Sequence, residues 1–368
     1  MNKIKRVLVP RFTDAVNVNA QNLNAKSLLT RFRDEAARWS AVHYYSPQEE
    51  VVRAPQVELT PLLPKQLWKP HLASWYQRGA DAIFYPGPTW ADEWGLRIRT
   101  MTGRKVPLIS TLEGLVGTPE RERQLREWAG HPVYCQAVSE FQLRRLDYIY
   151  QLSDHIIAIS PFLARMGSKL YGDKFSVQML GVDGTVFRHA SRSKRDRPLV
   201  INVANLRSHK RPEAFLELAS RCPAADFVWY GDGDKRAALL QQAEARRLAN
   251  LRFPGTRTPV ELADEFRSAT LLAMPSRAEG VPKVTQEAAA CGLPIVIFGY
   301  YESPTVIDGQ NGFVVWTDEE FFQRIETLLS DPKLAANMGA RSAEMARAWN
   351  WDTLAPEWER QILQQISH

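Results

Sequence analysis

Short apolar runs alternate with helix-periodic segments along this chain, and that alternation has one economical solution: parallel sheets covered by helices on both faces. In the first half RVLVP, DAIFYPG, VPLIST and DHIIAIS read as strands. Behind DHIIAIS, Ser160 suits a helix cap, Pro161 the first turn, FLARMGSKLY the body and Gly172 the stop, and SVQMLGV is the last strand of this half. Asp183 to Arg197 is polar, charged and without periodicity, so it reads as a linker. A second series follows, with PLVINVANL, ADFVWYGDGD, NLRFPG, LLAMPS, LPIVIFG and NGFVVW as strands and PEAFLELASR, KRAALLQQAEARRLA and PVELADEFRSA as helices between them. The expected organisation is a Rossmann-like unit over 1–182, a linker over 183–197, a second Rossmann-like unit over 198–348 and a helical tail over 349–368. A length of 368 residues agrees with two units, since one domain usually takes about 100–200. In such sheets ligands bind beyond the carboxyl ends of the strands, so the chemistry is expected in the cleft between the units.

Cys135, Cys222 and Cys291 are odd in number, scattered and without CxxC spacing, which argues against a disulfide framework and a zinc site. All three read as buried thiols. The histidines show no ligand spacing, so no metal is assigned. MNKIKRVLVPRF has too short an apolar run for a signal peptide, and no segment approaches the ~18 apolar residues of a membrane span. A cytoplasmic protein is expected. Charge is uneven: residues 1–180 carry 24 Lys and Arg against 17 Asp and Glu, residues 181–368 carry 23 against 24. Basic and aromatic residues interleave from Lys65 to Arg78, including Trp68, Trp75 and Tyr76. Two readings fit, a peripheral contact with an anionic membrane or an ordinary solvated face. Nucleic acid is disfavoured because there is no Lys/Arg run and no binding motif.

The stretch Ser276–Pro294, SRAEGVPKVTQEAAACGLP, carries the chemistry. LLAMPS before it reads as a strand, Gly280 frees the backbone, Pro282 suits a helix start, and Cys291-Gly292-Leu293-Pro294 ends the helix. A strand, a glycine loop and a helix N-terminus favour an anion, by ~0.3–1 kcal/mol from the dipole alone. Phosphate is the natural guest. Ionised Glu279 and Glu287 accept hydrogen bonds and cannot bind phosphate, so they imply neutral hydroxyls beside it, which suggests a nucleotide sugar.

Glu279-x7-Glu287 within PSRAEGVPKVTQEAAACGLPIV resembles the acidic signature of retaining GT-B glycosyltransferases, the glycogen-synthase-like fourth family, or group 1 glycosyltransferases. The resemblance implies two Rossmann-like domains facing across a cleft, with a C-terminal helix crossing back to the first and anchored there by Trp351 and Trp358. It implies that Glu279 contacts the hydroxyls of the donor sugar and Glu287 the ribose. Gly181-Val182-Asp183 with Phe187 looks like the family's interdomain turn. VANLRSHKRPE looks like the diphosphate clamp: Lys210 matches its lysine, Asn205 stands where arginine is usual, and Arg207 or Arg211 is near enough to substitute. Gly280, Val281, Pro282 and Lys283 would add the helix start. Gly231 and Asp232 of the GDG turn lie where the family approaches the nucleotide, and Arg257 where it approaches the base.

Two departures stand in the first half. PLISTLEG supplies Glu113 where the family commonly has histidine, and a different sugar, a different acceptor, a carboxylate that helps deprotonate the acceptor, or a structural loop residue would each account for it. The amino-terminal Gly-Gly loop is absent; Asn17, Asn19, Gln21, Asn22 and Asn24 stand there, either binding sugar or phosphate oxygens or forming a turn-rich connector. The resemblance implies retaining transfer from a UDP- or GDP-sugar to a hydroxyl of a glycan or lipid-linked glycan, in bacterial surface polysaccharide synthesis (lipopolysaccharide, O-antigen or capsule). It implies no metal and no cofactor beyond that co-substrate. The alternatives are a GT-B epimerase or hydrolase acting on nucleotide sugars, with Glu113 as its acid/base, and a non-catalytic nucleotide-sugar binding protein.

Overall fold

The computed structural model describes residues 4–13, 28–29, 31–44, 57–62, 79–88, 96–97, 100, 106–190 and 195–366. The asparagine-rich segment from Asn17 to Asn24, the Lys65–Arg78 stretch and residues 191–194 of the linker lie outside them. The chain divides into two compact units, one of Met1–Arg121, Ala137–Gly181 and Trp351–His368, the other of Glu122–Gln136 and Val182–Asn350.

The first unit is built on a seven-stranded parallel sheet in the order Val57–Leu62, Ala37–Tyr44, Lys5–Thr13, Ala82–Tyr85, Leu108–Leu112, His155–Ala158, Phe175–Val177. Ala82–Tyr85 and Leu108–Leu112 are buried at every position, as expected of central parallel strands with both faces covered. Ala37–Tyr44 and Val57–Leu62 have no counterpart in the sequence reading. Their mixed composition hides them, and Pro61 is tolerated because Val57–Leu62 is an edge strand. The Pro161–Tyr171 helix begins at Ser160, whose hydroxyl accepts the Leu163 amide at 3.1 Å, and stops at Gly172.

The helix Trp351–Gln364 belongs to this unit. Trp351 and Trp358 are buried, and the Trp358 indole N–H donates to the Met179 carbonyl at 2.8 Å. Gly181 is required here: a Cβ at that position would lie 2.6 Å from the Trp351 ring. Buried Glu359 accepts the backbone amides of Arg33 at 2.8 Å and Asp34 at 3.1 Å and the Trp39 indole at 3.2 Å. Burial nevertheless raises its pKa, the three donors pulling the other way.

The second unit holds a six-stranded parallel sheet in the order Leu251–Gly255, Asp226–Tyr230, Leu199–Val203, Leu271–Met274, Ile295–Phe298, Gly312–Val315. Its first strand in sequence, Leu199–Val203, lies inside the sheet. The next two strands build outward on one side and the rest on the other, so the order reverses between Leu199–Val203 and Leu271–Met274. That reversal parts two loops and opens the crevice where open α/β sheets take ligands. Cys135 and Cys291 are buried, but Cys222 is only half-buried, against the expectation of three enclosed thiols; burial raises its pKa to about 11. Among the described residues no helix is long and apolar enough to cross a membrane.

Candidate active site

The two loops that leave the sheet at its reversal point bring a lysine and a glutamate together. After Leu199–Val203 the chain passes Asn205 and Arg207, both exposed, makes one tight turn at Ser208–Lys210, turns through left-handed Arg211 and starts a helix at Pro212. After Leu271–Met274 it runs through Ser276 and Arg277 to Glu279. Lys210 and Glu279 form an ion pair in which the side chains keep only 19% and 11% of their exposure, so the two charges depend on each other more than a surface pair does. The Arg277 amide donates to the His209 carbonyl at 2.9 Å and ties the loops by their backbones. Burial lowers the His209 pKa, Lys210 and Arg207 lower it further and Glu279 opposes them.

The Lys210 loop is pinned from its other side. Trp229 donates its indole N–H to the Ala204 carbonyl at 2.7 Å, and the Leu206 amide reaches the Asp232 carbonyl at 3.0 Å. Gly231, at φ +128°, brings its backbone so close that a Cβ would meet the Ala204 oxygen at 2.1 Å. The GDG turn thus uses its first glycine to approach the backbone of the Lys210 loop. Asp232 is exposed and accepts the Gly233 amide at 2.8 Å. Arg257 lies over the Tyr230 ring, 5.2 Å from its centre, and donates to the Thr256 carbonyl at 3.0 Å.

Glu279 leads directly into Gly280, buried Val281 and Pro282, and the helix Lys283–Ala290 then begins with no side chain capping its N-terminus. Its dipole and first-turn amides favour an anion there. Glu287 stands one turn beyond Lys283; it keeps a partly accessible edge, yet burial raises its carboxyl above the usual range, with Lys283 pulling it down. A carboxylate held against desolvation gains from hydroxyl donors that arrive with a ligand. The site therefore brings together Lys210, Glu279 and the uncapped amides of a helix start, groups suited to an anion that carries hydroxyls.

Of the two arginines near Lys210 in the chain, Arg211 pairs with Asp318 and lies over the Phe298 ring at 5.2 Å, while Arg207 stays exposed beside the turn that ends at Lys210. Glu113 belongs to the first unit, where it accepts a hydrogen bond from the Thr111 hydroxyl at 3.1 Å, which itself accepts the Gly87 amide at 2.6 Å. Among the described residues no group of three or more His, Cys, Asp or Glu could hold a metal ion. Sequence reasoning missed several site residues. Tyr134, from the segment Glu122–Gln136, has the guanidinium groups of Arg126 and Arg277 at 4.7 and 5.2 Å from its ring centre and so contacts the loop that carries Glu279. Asn202, Ser276 and Tyr301 are buried, and their side chains hold polar atoms with no hydrogen-bond partner. A lone Asn inside the apolar run LVINV was the one signal available.

Residues 185–345 match the family model described as Glycosyl transferases group 1. D-inositol 3-phosphate glycosyltransferase of Streptomyces avermitilis is 38% identical over 148 residues, covering 39% of this chain and 27% of that protein. The chain spans about a quarter of the length of the first curated relatives it matches. Among solved structures, sucrose-phosphate synthase of Thermosynechococcus elongatus superposes with a TM-score of 0.79 at 16% identity over 98% of both chains. HepE of Anabaena, in complex with UDP, superposes with a TM-score of 0.74 at 17% identity over 98% of this chain and 100% of its own. These likenesses give the fold as GT-B, and residues 185–345, a little under half of the chain, are similar to the group 1 glycosyltransferases.

Proposed function

We propose that the chain is a retaining glycosyltransferase that moves a sugar from a UDP- or GDP-sugar to a hydroxyl of a glycan or lipid-linked glycan in bacterial surface polysaccharide synthesis. The observation that carries this reading is the meeting of Lys210 and Glu279 at the reversal point of the second sheet, beside an uncapped helix start. Lys210, exposed Arg207 and the Gly280–Lys283 backbone neutralise the diphosphate. Glu279 holds the sugar hydroxyls, Glu287 the ribose, and Arg257 with the Gly231-Asp232 turn borders the nucleoside. The acceptor attacks on the face from which the diphosphate departs, and the departing phosphate oxygen helps take its proton. Glu113 is assigned to the acceptor, its carboxylate accepting a hydrogen bond that orients the hydroxyl while the proton goes to the departing phosphate oxygen. The protein's part is positioning and charge neutralisation in place before reaction.

Thermal unfolding with UDP, GDP and their sugars tests the donor: a ligand at 100 times its dissociation constant adds ~2.7 kcal/mol of stability. Product analysis then separates the reactions, since a retained anomeric configuration in a new glycoside supports transfer, whereas free sugar without acceptor indicates hydrolysis. Transfer is expected to persist in EDTA, because Lys210, Arg207 and the helix amides supply the positive charge. Complete loss, restored by manganese or magnesium, would contradict that assignment. The protein is also expected to bind anionic liposomes and to leave them as salt is raised, on the strength of the basic excess in residues 1–180. Equal binding to neutral and anionic vesicles would count against a membrane-surface role.

A further inference from the structure

Strand Ile295–Phe298 pairs with Leu271–Met274, Met274 opposite Ile297, and ends in a single turn, Gly299–Tyr301. Glu279 and Tyr301 thus leave neighbouring parallel strands at the same end of the sheet. Tyr301 is 2% exposed, and its hydroxyl has no hydrogen-bond partner. The buried hydroxyls that follow it in the chain are satisfied: Ser303 bonds Thr305 at 2.8 Å and Thr305 bonds Thr285 at 2.7 Å, while the Asn311 amide donates to the Thr305 carbonyl at 3.0 Å. An orphaned buried hydroxyl is costly, and a phenylalanine in its place would avoid that cost. Glu279 is the charged group whose field reaches the Tyr301 hydroxyl, and burial together with that carboxylate raises the phenol well above its ordinary pKa. The phenol therefore stays protonated and available as a donor. Lys210 meanwhile has two anions to serve, Glu279 in the ligand-free protein and the diphosphate once a donor is bound.

We propose that Tyr301 is a positioning residue for Glu279, its buried hydroxyl taking the carboxylate when Lys210 turns to the diphosphate. This rests on the reading of Lys210 as the diphosphate clamp. With Lys210 withdrawn, a largely buried carboxylate needs another donor to keep its orientation toward the sugar. The Tyr301 hydroxyl supplies one without adding a charge.

A thermal cycle on the ligand-free protein tests the contact without any substrate. Tyr301→Phe alone is expected to move the melting temperature by less than about 2 °C, and to lower it by about 4 °C or more in a Lys210→Met background. Equal shifts in both backgrounds overturn the proposal. In transfer assays Tyr301→Phe is expected to lower kcat about tenfold without changing the affinity for UDP or GDP, and to have no further effect on Glu279→Gln. An undiminished loss in the Glu279→Gln background overturns it as well, because Tyr301 would then act elsewhere. Failure of both UDP and GDP to bind while the thermal coupling holds refutes the diphosphate reading of Lys210 and leaves the Tyr301–Glu279 contact standing.

Discussion

Lys210→Met is expected to lower sugar transfer by roughly a hundredfold or more and to weaken UDP or GDP about tenfold, in a protein that still folds. Methionine keeps the aliphatic stem and removes the ammonium. Charge-assisted hydrogen bonds contribute ~1.5–3 kcal/mol each, and 1.36 kcal/mol is tenfold in rate. The loss on binding should be the smaller part, since the leaving diphosphate gains charge as the glycosidic bond breaks and the ammonium stabilises that state most. A second effect adds to the first. Lys210 is the partner of Glu279, whose side chain is 11% exposed, so the substitution also leaves a largely buried carboxylate without its counter-charge. Arg207 is exposed and Arg211 is engaged with Asp318, so neither replaces the ammonium that pairs with Glu279. Steady-state kinetics with nucleotide titration check this, and a loss of less than threefold in kcat would remove Lys210 from the site.

The second unit was largely legible in the sequence because each signal there is local. Its central strands Leu271–Met274 and Ile295–Phe298 are buried at every position and read as continuous apolar runs. Ser276–Pro294 contains its own strand end, glycine loop, helix start and stop, so the positions of Glu279 and Glu287 follow from neighbours in the chain. Chain distance hid the rest. Lys210 and Glu279 are 69 residues apart and meet only because the strand order reverses between their loops. No local pattern ties Tyr134 to Arg277. Tyr301 looks like any aromatic residue after a strand until its hydroxyl is found enclosed without a partner. In the first unit Ala37–Tyr44 and Val57–Leu62 lie toward one edge of the sheet, where alternation is diluted by Arg38, Ser40, Glu58 and Pro61. The role of Gly231 was half visible: a glycine after a strand announces close approach, but only the fold tells that the approaching backbone is Ala204.

Glu279→Gln and Glu287→Gln are expected to fail in different ways. For Glu279→Gln, transfer should fall at least tenfold while UDP or GDP binds almost as before, because on the proposed reading that carboxylate holds the sugar and not the nucleotide, so the lost interaction belongs to the transferring group. Glu287→Gln should weaken the free nucleotide itself about tenfold, since the ribose hydroxyls lose a charged acceptor. The same substitution should stabilise the ligand-free protein near neutral pH. Burial raises the Glu287 carboxyl, with Lys283 opposing, above the ~4.3 of an unfolded glutamate. Between those two values the folded state binds more protons than the unfolded state, so Glu287 costs stability progressively as pH rises through that window, and above it the cost is complete. Glutamine does not titrate. The gain in melting temperature should therefore appear above about pH 4.3, reach its full size above the folded pKa, and vanish in acid, while affinity for the nucleotide falls at neutral pH. A site residue that destabilises the empty protein and repays it on binding is the expected sign of a ligand contact. Equal weakening of the nucleotide by both substitutions, or a Glu287→Gln protein that melts lower at every pH, would show that the two carboxylates have been assigned wrongly.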